Sequence, residues 1–258
     1  MSYEGRELRV GAIGGVCTGP EHRGKGFAKK LLEDCTQFMK QNGFHASLLF
    51  GRPEIYGKCG WETLSAYGIS SNFKLKTSSG AQIQKTSMEN DIEWLSEIYE
   101  NHFKDQTGPF KRTLEYWKKW VNWKVNIKQT HSIITVSENG AKLGYYVLKK
   151  NNTVCELCWD KNIDGSFEKT VSAIFENSEE ETVKFSFFTQ RLFDFICDNS
   201  QPPTLDMMEN DKYFISKDAL YCGLFKLIDR RGTGLDSTTD FNNKLRMQNY
   251  TFWDLDHF

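Results

Sequence analysis

No stretch of this sequence holds the roughly twenty consecutive apolar residues that a helix needs to cross a bilayer. The opening Met1-Ser2-Tyr3-Glu4-Gly5 lacks the charged and apolar regions of a secretory leader, so a cytoplasmic location with no membrane partner is expected. An excess of charge of either sign is missing too: 33 Lys and Arg face 34 Asp and Glu, leaving a formal net charge of -1. That balance argues against a polyanion binder whose whole surface is a basic footprint. Arg6, Arg9, Arg23, Lys25, Lys29 and Lys30 could form a local patch, but no aromatic-interleaved or groove-reading motif accompanies them, and no nucleic-acid partner is expected. A disulfide framework is absent as well, because 7 Cys is an odd number in a chain of this size. The single CxxC, Cys155 and Cys158, lies inside Val154–Trp159, which alternates like a strand. It reads as buried thiols rather than a redox pair or a zinc site, and no metal is expected.

What is present is large apolar volume. Hydrophobic residues make up 39%, with 19 Phe, 10 Tyr and 7 Trp, enough to exclude a disordered chain. At 258 residues two domains are favoured over one.

Leu8 to Thr18 reads as a strand interrupted by Gly11, Gly14 and Gly15, which permit a bulge or close approach by a ligand. A helix is indicated from Gly24 to Gly43 by Phe27, Ala28, Leu31, Leu32, Cys35 and Phe38 or Met39 at three- and four-residue spacing. Ala46–Phe50 follows as a buried strand, which suits a βαβ unit with parallel strands. Pro53 to Lys58 forms a short helix and Thr63 to Leu75 forms strands, before a polar linker at 76–80. Beyond it, helices are expected at Met88–Phe103 and Leu114–Val125. Strands at 131–136, 142–149 and 153–159 are joined by turns at Asn139-Gly140 and Asn151-Asn152. A helix at 167–175, a strand at 183–187, a short helix at 192–196 and strands at 205–208 and 220–228 complete a second α/β unit. A loop spans 230–240, and Tyr250–Trp253 near the end is expected to pack against something. A loose duplication of one α/β design is compatible with this order.

The segment from Gly14 to Ala28 is the most informative in the chain. A glycine-rich polar turn lies between a strand and a helix, where successive backbone N–H groups and an open helix N-terminus make a seat for a phosphorylated cofactor. Gly24 and Gly26 let the backbone close around a pyrophosphate, and Arg23 and Lys25 add positive charge. The turn lacks the Lys-Ser/Thr ending of a P-loop, and no GxGxxG follows the strand, so spacing alone does not name the ligand.

The residues themselves do more. Val16-x-Thr18-x-Pro20-x-x-Arg23-Gly24-x-Gly26-x-Ala28 resembles the acyl-CoA-binding motif of the GCN5-related N-acetyltransferases (GNAT). More narrowly, Ile13–Val16, Ser47–Phe50 and Ile55-Tyr56-Gly57-Lys58-Cys59-Gly60-Trp61 resemble the Eis-like branch. The likeness is sharp over Gly11–Glu62 and loose from Met88 to about Asp229, where Ile92–Lys104 and Trp117 are similar to the second, motif-less domain of that branch. It implies an α/β mixed-sheet GNAT-like fold: a partial first domain at 1–78, a second GNAT-like domain at 82–229 and a tail at 230–258. It implies that the strand around Val16, Cys17 and Thr18 pairs with the pantetheine of acetyl-CoA, and that the amides of Arg23, Gly24, Lys25, Gly26, Phe27 and Ala28 hold the pyrophosphate.

The reaction implied is direct attack of a primary amine, small-molecule or peptide, on the acetyl thioester, with Tyr56 as general acid for the departing thiolate. The terminal carboxylate of Phe258 is the base by the same likeness, and His22 and His45 are chemical alternatives. The pattern departs from the family in two places. The opening strands and helices of the first domain, which would wall the amine cleft, are expected to be missing, as is the C-terminal sterol-carrier-like domain. A fragment, completion by another chain in a homo-oligomer, an inactive acyl-CoA-binding or structural protein, or replacement of the wall by the second domain all remain open.

Overall fold

Period-two burial sets the centre of the first half. On the strand Ala46–Leu49 (β4 below), Ala46 and Leu48 pack with Leu64, Phe225, Tyr3 and Leu8, whereas Leu49 packs with Leu32, Trp61 and Leu224 on the opposite face. The computed structural model describes residues 1–3, 6–72, 74–76, 78–104, 106, 108–200, 215–229, 231, 233–240 and 243. A two-stranded hairpin, β1 (Ser2–Tyr3) and β2 (Arg6–Glu7), stands beside a nine-stranded mixed sheet. The chain then runs β3 (Val10–Ile13), α1 (Phe27–Gln41), β4 (Ala46–Leu49), α2 (Pro53–Tyr56) and β5 (Glu62–Ser71). It continues with β6 (Gln82–Lys85), α3 (Ile92–Phe103), α4 (Leu114–Tyr116), β7 (His131–Glu138), β8 (Ala141–Lys149) and β9 (Thr153–Trp159). Last come α5 (Ser166–Glu176), β10 (Val183–Phe185), α6 (Gln190–Asn199) and β11 (Ile215–Leu227). The large sheet has the order β3-β4-β11-β5-β10-β9-β8-β7-β6. The architecture is the mixed-sheet α/β class expected.

Two parallel pairs stand out in an otherwise antiparallel sheet. β3 pairs with β4 from Val10↔Ala46 to Ile13↔Leu49, and β9 pairs with β10 at Thr153↔Lys184 and Val154↔Phe185. Each is a strand–turn–helix–strand unit, so the βαβ design occurs twice. The halves exchange strands: β11 lies between β4 and β5, and β5 reaches β10. The main core gathers the residues of β7–β10 with α3, α5 and α6, and two smaller clusters flank β4.

Several boundaries differ from the sequence expectations. The first strand stops at Ile13, and the approach at Gly11 comes from the protein itself, since Met39 stands 2.7 Å from where a Cβ would be. β5 is one strand ending at Ser71. α3 begins at Ile92 rather than Met88 because Ser87 and Asp91 close a turn: Ser87 N donates to Asp91 Oδ2 at 3.1 Å, and Asp91 N to the Ser87 carbonyl at 2.8 Å. The helix expected over Leu114–Val125 continues past Tyr116 as π-helical turns, Trp117–Val121 and Trp123–Ile127, wide enough to stack Trp120 on Trp123 at 5.3 Å. α6 is longer than expected, its first turn capped by Thr189, whose hydroxyl accepts from Leu192 N at 3.2 Å. β11 starts at Ile215, before the expected Leu220, because its ladder with β5 begins at Ile215↔Ser71. The turn at Asn139-Gly140 has φ of 50° and 82°, the two positive values a two-residue hairpin demands. Residues 205–208 and 250–253 lie outside the described residues. No described helix is long and apolar enough to cross a membrane.

Candidate functional site

Because β3 and β4 run parallel, their carboxyl ends meet at one edge of the molecule, the place where α/β sheets bind ligands. From the end of β3 comes the glycine turn, and from the end of β4 comes Phe50–Arg52 leading into α2 and Tyr56. Sequence positions more than thirty residues apart are thereby placed side by side.

The turn carries a short 3-10 segment, Pro20–His22, and then two left-handed glycines, Gly24 (φ 77°) and Gly26 (φ 80°). A Cβ at either glycine would meet nothing within 4 Å, so it is the backbone path that requires glycine there. Residues 19–27 are all exposed. Arg23 closes the loop, its N–H donating to the Pro20 carbonyl at 3.3 Å and its Nε to the Thr18 carbonyl at 3.3 Å. The Arg23 amide is therefore engaged. Beyond it, the N–H groups of Gly24, Lys25, Gly26, Phe27, Ala28 and Lys29 have no acceptor among the described residues, and the first bond of α1 is Lys30 N to the Gly26 carbonyl at 3.0 Å. Six successive donors, at the positive end of a helix of 15 residues and beside Arg23 and Lys25, make a seat for an anion with several oxygens.

The corresponding turn of the second βαβ unit is built differently. It also ends on a left-handed glycine, Gly165 (φ 70°), at the start of α5. There Asn162 N donates to Asp160 Oδ1 at 2.9 Å, and Ile163 N and Ser166 N to backbone carbonyls at 3.2 Å each. The N–H groups of Asp164, Gly165, Phe167 and Glu168 find no acceptor among the described residues, but the engaged Asn162, Ile163 and Ser166 break the row, whereas the first turn offers six donors in succession.

Val16 and Tyr56 pack on the same small core of Leu32, Leu49, Trp61 and Leu224, with Ile13 and Cys59 beside them. Cys17 is exposed and Thr18 half-buried. The ring of Tyr56 lies over Gly51, where a Cβ would come within 2.3 Å of it, so Gly51 is what lets the ring lie there. The Tyr56 hydroxyl has no hydrogen-bond partner among the described residues, while its carbonyl accepts from Trp61 N at 3.3 Å. Lys226 of β11 fixes this corner and was not anticipated from sequence. Its Nζ donates to the Cys59 carbonyl at 2.7 Å and lies 4.4 Å from the Trp61 ring centre, and burial lowers its pKa. An isolated lysine 167 positions from its partner gives no sequence signal.

The two histidines separate clearly. His22 flanks the turn, edge-on to Phe27 at 6.1 Å and 3.4 Å from Glu21. His45 precedes β4 and so sits at the other end of the strands, about 13 Å along a four-residue strand. Its Nδ1 accepts from Arg9 N at 2.9 Å, which removes it from the site. Phe258 lies outside the described residues.

The remaining chemistry-bearing cluster is sealed. Arg112 and Glu156 form a bidentate pair at 2.9 and 2.7 Å with neither side chain exposed, and Tyr145 Oη donates to Glu156 Oε1 at 2.6 Å. Burial, with Glu156 beside it, pushes the Cys158 thiol well up, which suits a strand thiol and not a thiolate. Cys155 and Cys158 are both buried on β9. His102 is driven down to about 3 by burial and then by Lys161, so it is neutral. Among the described residues no three His, Cys, Asp or Glu side chains gather as metal ligands.

Residues 1–64 match the family model of the acetyltransferase (GNAT) domain. Among curated proteins none matches the chain. Among solved structures, the chain is similar to a conserved protein of Enterococcus faecalis V583 described as a probable N-acyltransferase. The two share 16% identity over 90% of this chain and 57% of that one, with a TM-score of 0.64. It is similar also to a GCN5-related N-acetyltransferase of Kribbella flavida (16% identity, 87% and 54% covered, TM-score 0.60). Eis1 of Mycobacterium abscessus shares 13% identity (85% and 56% covered, TM-score 0.55). The chain spans little more than half the length of these structures. In its parallel β3–α1–β4 unit, in the turn between, and in these likenesses, the protein has the fold of the GNAT acetyltransferases.

Proposed function

We propose that the chain binds acetyl-CoA at the Gly14–Ala28 turn and serves as an N-acetyltransferase toward a primary amine, in the manner of the Eis-like branch. The observation that carries this reading is the row of N–H groups from Gly24 to Lys29 without acceptors among the described residues, at the carboxyl end of a parallel strand pair. The diphosphate is assigned to the amides of Gly24–Ala28, with Arg23 and Lys25 supplying charge, and the pantetheine to the main chain at Val16, Cys17 and Thr18. No Cβ stands in the way at Gly14, Gly15, Gly24 or Gly26, which fits a ligand lying against the backbone.

Acetyl-CoA supplies an activated acetyl thioester; the chain supplies position and a proton. Tyr56, packed beside Val16 with its hydroxyl unpartnered among the described residues, is assigned to protonate the departing thiolate. The division into a ligand-bearing part at 1–78 and a motif-less part at 82–229 is supported by the contrast between the two turns, six consecutive open amides in the first and a row interrupted by engaged amides in the second.

A second reading, acyl-CoA binding without turnover, is favoured by one observation: β3 is the edge of the sheet among the described residues, so only one side of the ligand strand is paired. Calorimetric titration with acetyl-CoA, followed by thiol release against a panel of primary amines, separates the two. Binding with amine-dependent thiol release supports the transferase; binding without release supports the second reading; no binding removes both.

A further inference from the structure

The helix that begins at the glycine turn is amphipathic in the wrong sense on one flank. α1 buries Leu32 and Met39 against the sheet, yet Phe27, Leu31 and Phe38 are exposed at 54, 51 and 60%. At 100° per residue these three fall within an arc of about 40°. They form one apolar stripe about 16 Å long on the outside of the helix. Beside it, between α1 and the open edge of β3, runs a shallow groove of about 420 Å³ lined by Ile13, Asp34, Cys35 and Phe38. Lys30 and Asp34 border the stripe, are exposed, and have no ion-pair partner among the described residues, whereas the neighbouring Lys29 pairs with Glu33 at 3.9 Å.

We propose that this face is a two-fold interface with a second copy of the same chain, α1 packed antiparallel on α1 of the partner. The pattern is self-complementary. A two-fold axis between the two helices, level with residue 32, sets Phe27 against the partner subunit's Phe38, and by symmetry Phe38 against the partner's Phe27. The same axis sets Lys30 against the partner's Asp34 and Asp34 against the partner's Lys30, and leaves the two Leu31 side chains on either side of the centre, about 3 Å apart along the helix direction. One axis thus satisfies the three apolar and the two charged positions, as an isologous interface requires. Antiparallel packing also sets opposite helix-dipole ends beside each other. The partner's Phe27 is the side chain that enters the groove at Phe38. The inference does not depend on what the glycine turn binds.

Sedimentation velocity on the full chain across the micromolar range tests it. A dimer of about 60 kDa, twice the 29.9 kDa of the chain, is expected. Leu31→Glu should weaken the dimer more than about tenfold, since it sets two carboxylates on either side of the symmetry centre. Because residue 31 is exposed, circular dichroism should show an unchanged fold. Lys30→Asp and Asp34→Lys should each weaken association, and the double reversal should restore it. A monomer throughout the range, a dimer indifferent to Leu31→Glu, or single reversals that the double reversal fails to rescue would each overturn the proposal.

Discussion

Replacing Gly26 by alanine separates the demands of the fold from those of the ligand. Gly26 has φ of 80° and a Cβ there would meet nothing within 4 Å, so the protein loses only the cost of holding an L residue in the left-handed region, about 1–2 kcal/mol. The ligand loses more. The new methyl group stands on the exposed side of a backbone whose amides are assigned to the diphosphate, and moving one donor off a charged acceptor costs about 1.5–3 kcal/mol. That is roughly ten- to a hundredfold in affinity for acetyl-CoA. Gly43→Ala is the matched control: φ is 72°, a Cβ is equally unobstructed, and the residue lies just beyond the other end of α1. Urea denaturation should show similar stability losses for the two variants, and isothermal titration should show weakened acetyl-CoA binding for Gly26→Ala alone. Equal affinity in the two variants would refute the reasoning, because the open amides would then have no ligand to lose.

Tyr56→Phe should leave acetyl-CoA affinity unchanged and lower turnover by about a hundredfold or more, read from thiol release at saturating amine. Gly51→Ala should lower turnover in the same assay by displacing the Tyr56 ring, which stands 2.3 Å from the added carbon. His102 titrates near 3 when folded against about 6.5 when unfolded, so between those values the unfolded chain takes up a proton that the folded chain does not. Its contribution is complete above pH 6.5 and is lost as pH falls, by about 1.4 kcal/mol per pH unit. Urea midpoints at pH 7 and 5 should show this drop, and His102→Gln should flatten it. Arg112→Met leaves Glu156 charged and sealed in the core and should cost about 3–5 kcal/mol, much of which the double variant Arg112→Met/Glu156→Gln recovers; equal losses in both would contradict the buried pair.

The parts of the fold that depend on neighbours in sequence were legible. The spacing of Leu32 and Met39, the run Ala46–Leu49 and the Asn139-Gly140 turn each declare an element within a few residues, and the glycine turn declares its own open backbone. What lay hidden depends on partners far away. Nothing near Lys226 says that it will anchor Cys59, and nothing near Arg112 says that Glu156, 44 positions on, will receive its guanidinium. The placing of β11 between β4 and β5 is likewise a long-range pairing with no local mark. The turn at 160–165 shows the limit from the other side: its glycine and lysine resemble those of the first turn, yet the engaged amides of Asn162, Ile163 and Ser166 interrupt its row of donors. The histidines also needed topology, since parallel strands are what put His45 at the far end from Tyr56.

The most direct measurement is an amide-resolved NMR titration of the ¹⁵N-labelled protein with acetyl-CoA. The account predicts saturable shifts largest at Gly24, Lys25, Gly26, Phe27 and Ala28, with the amides of Asn162 and Ile163 unmoved. Binding that left residues 24–28 unshifted, or no binding at all, would contradict it.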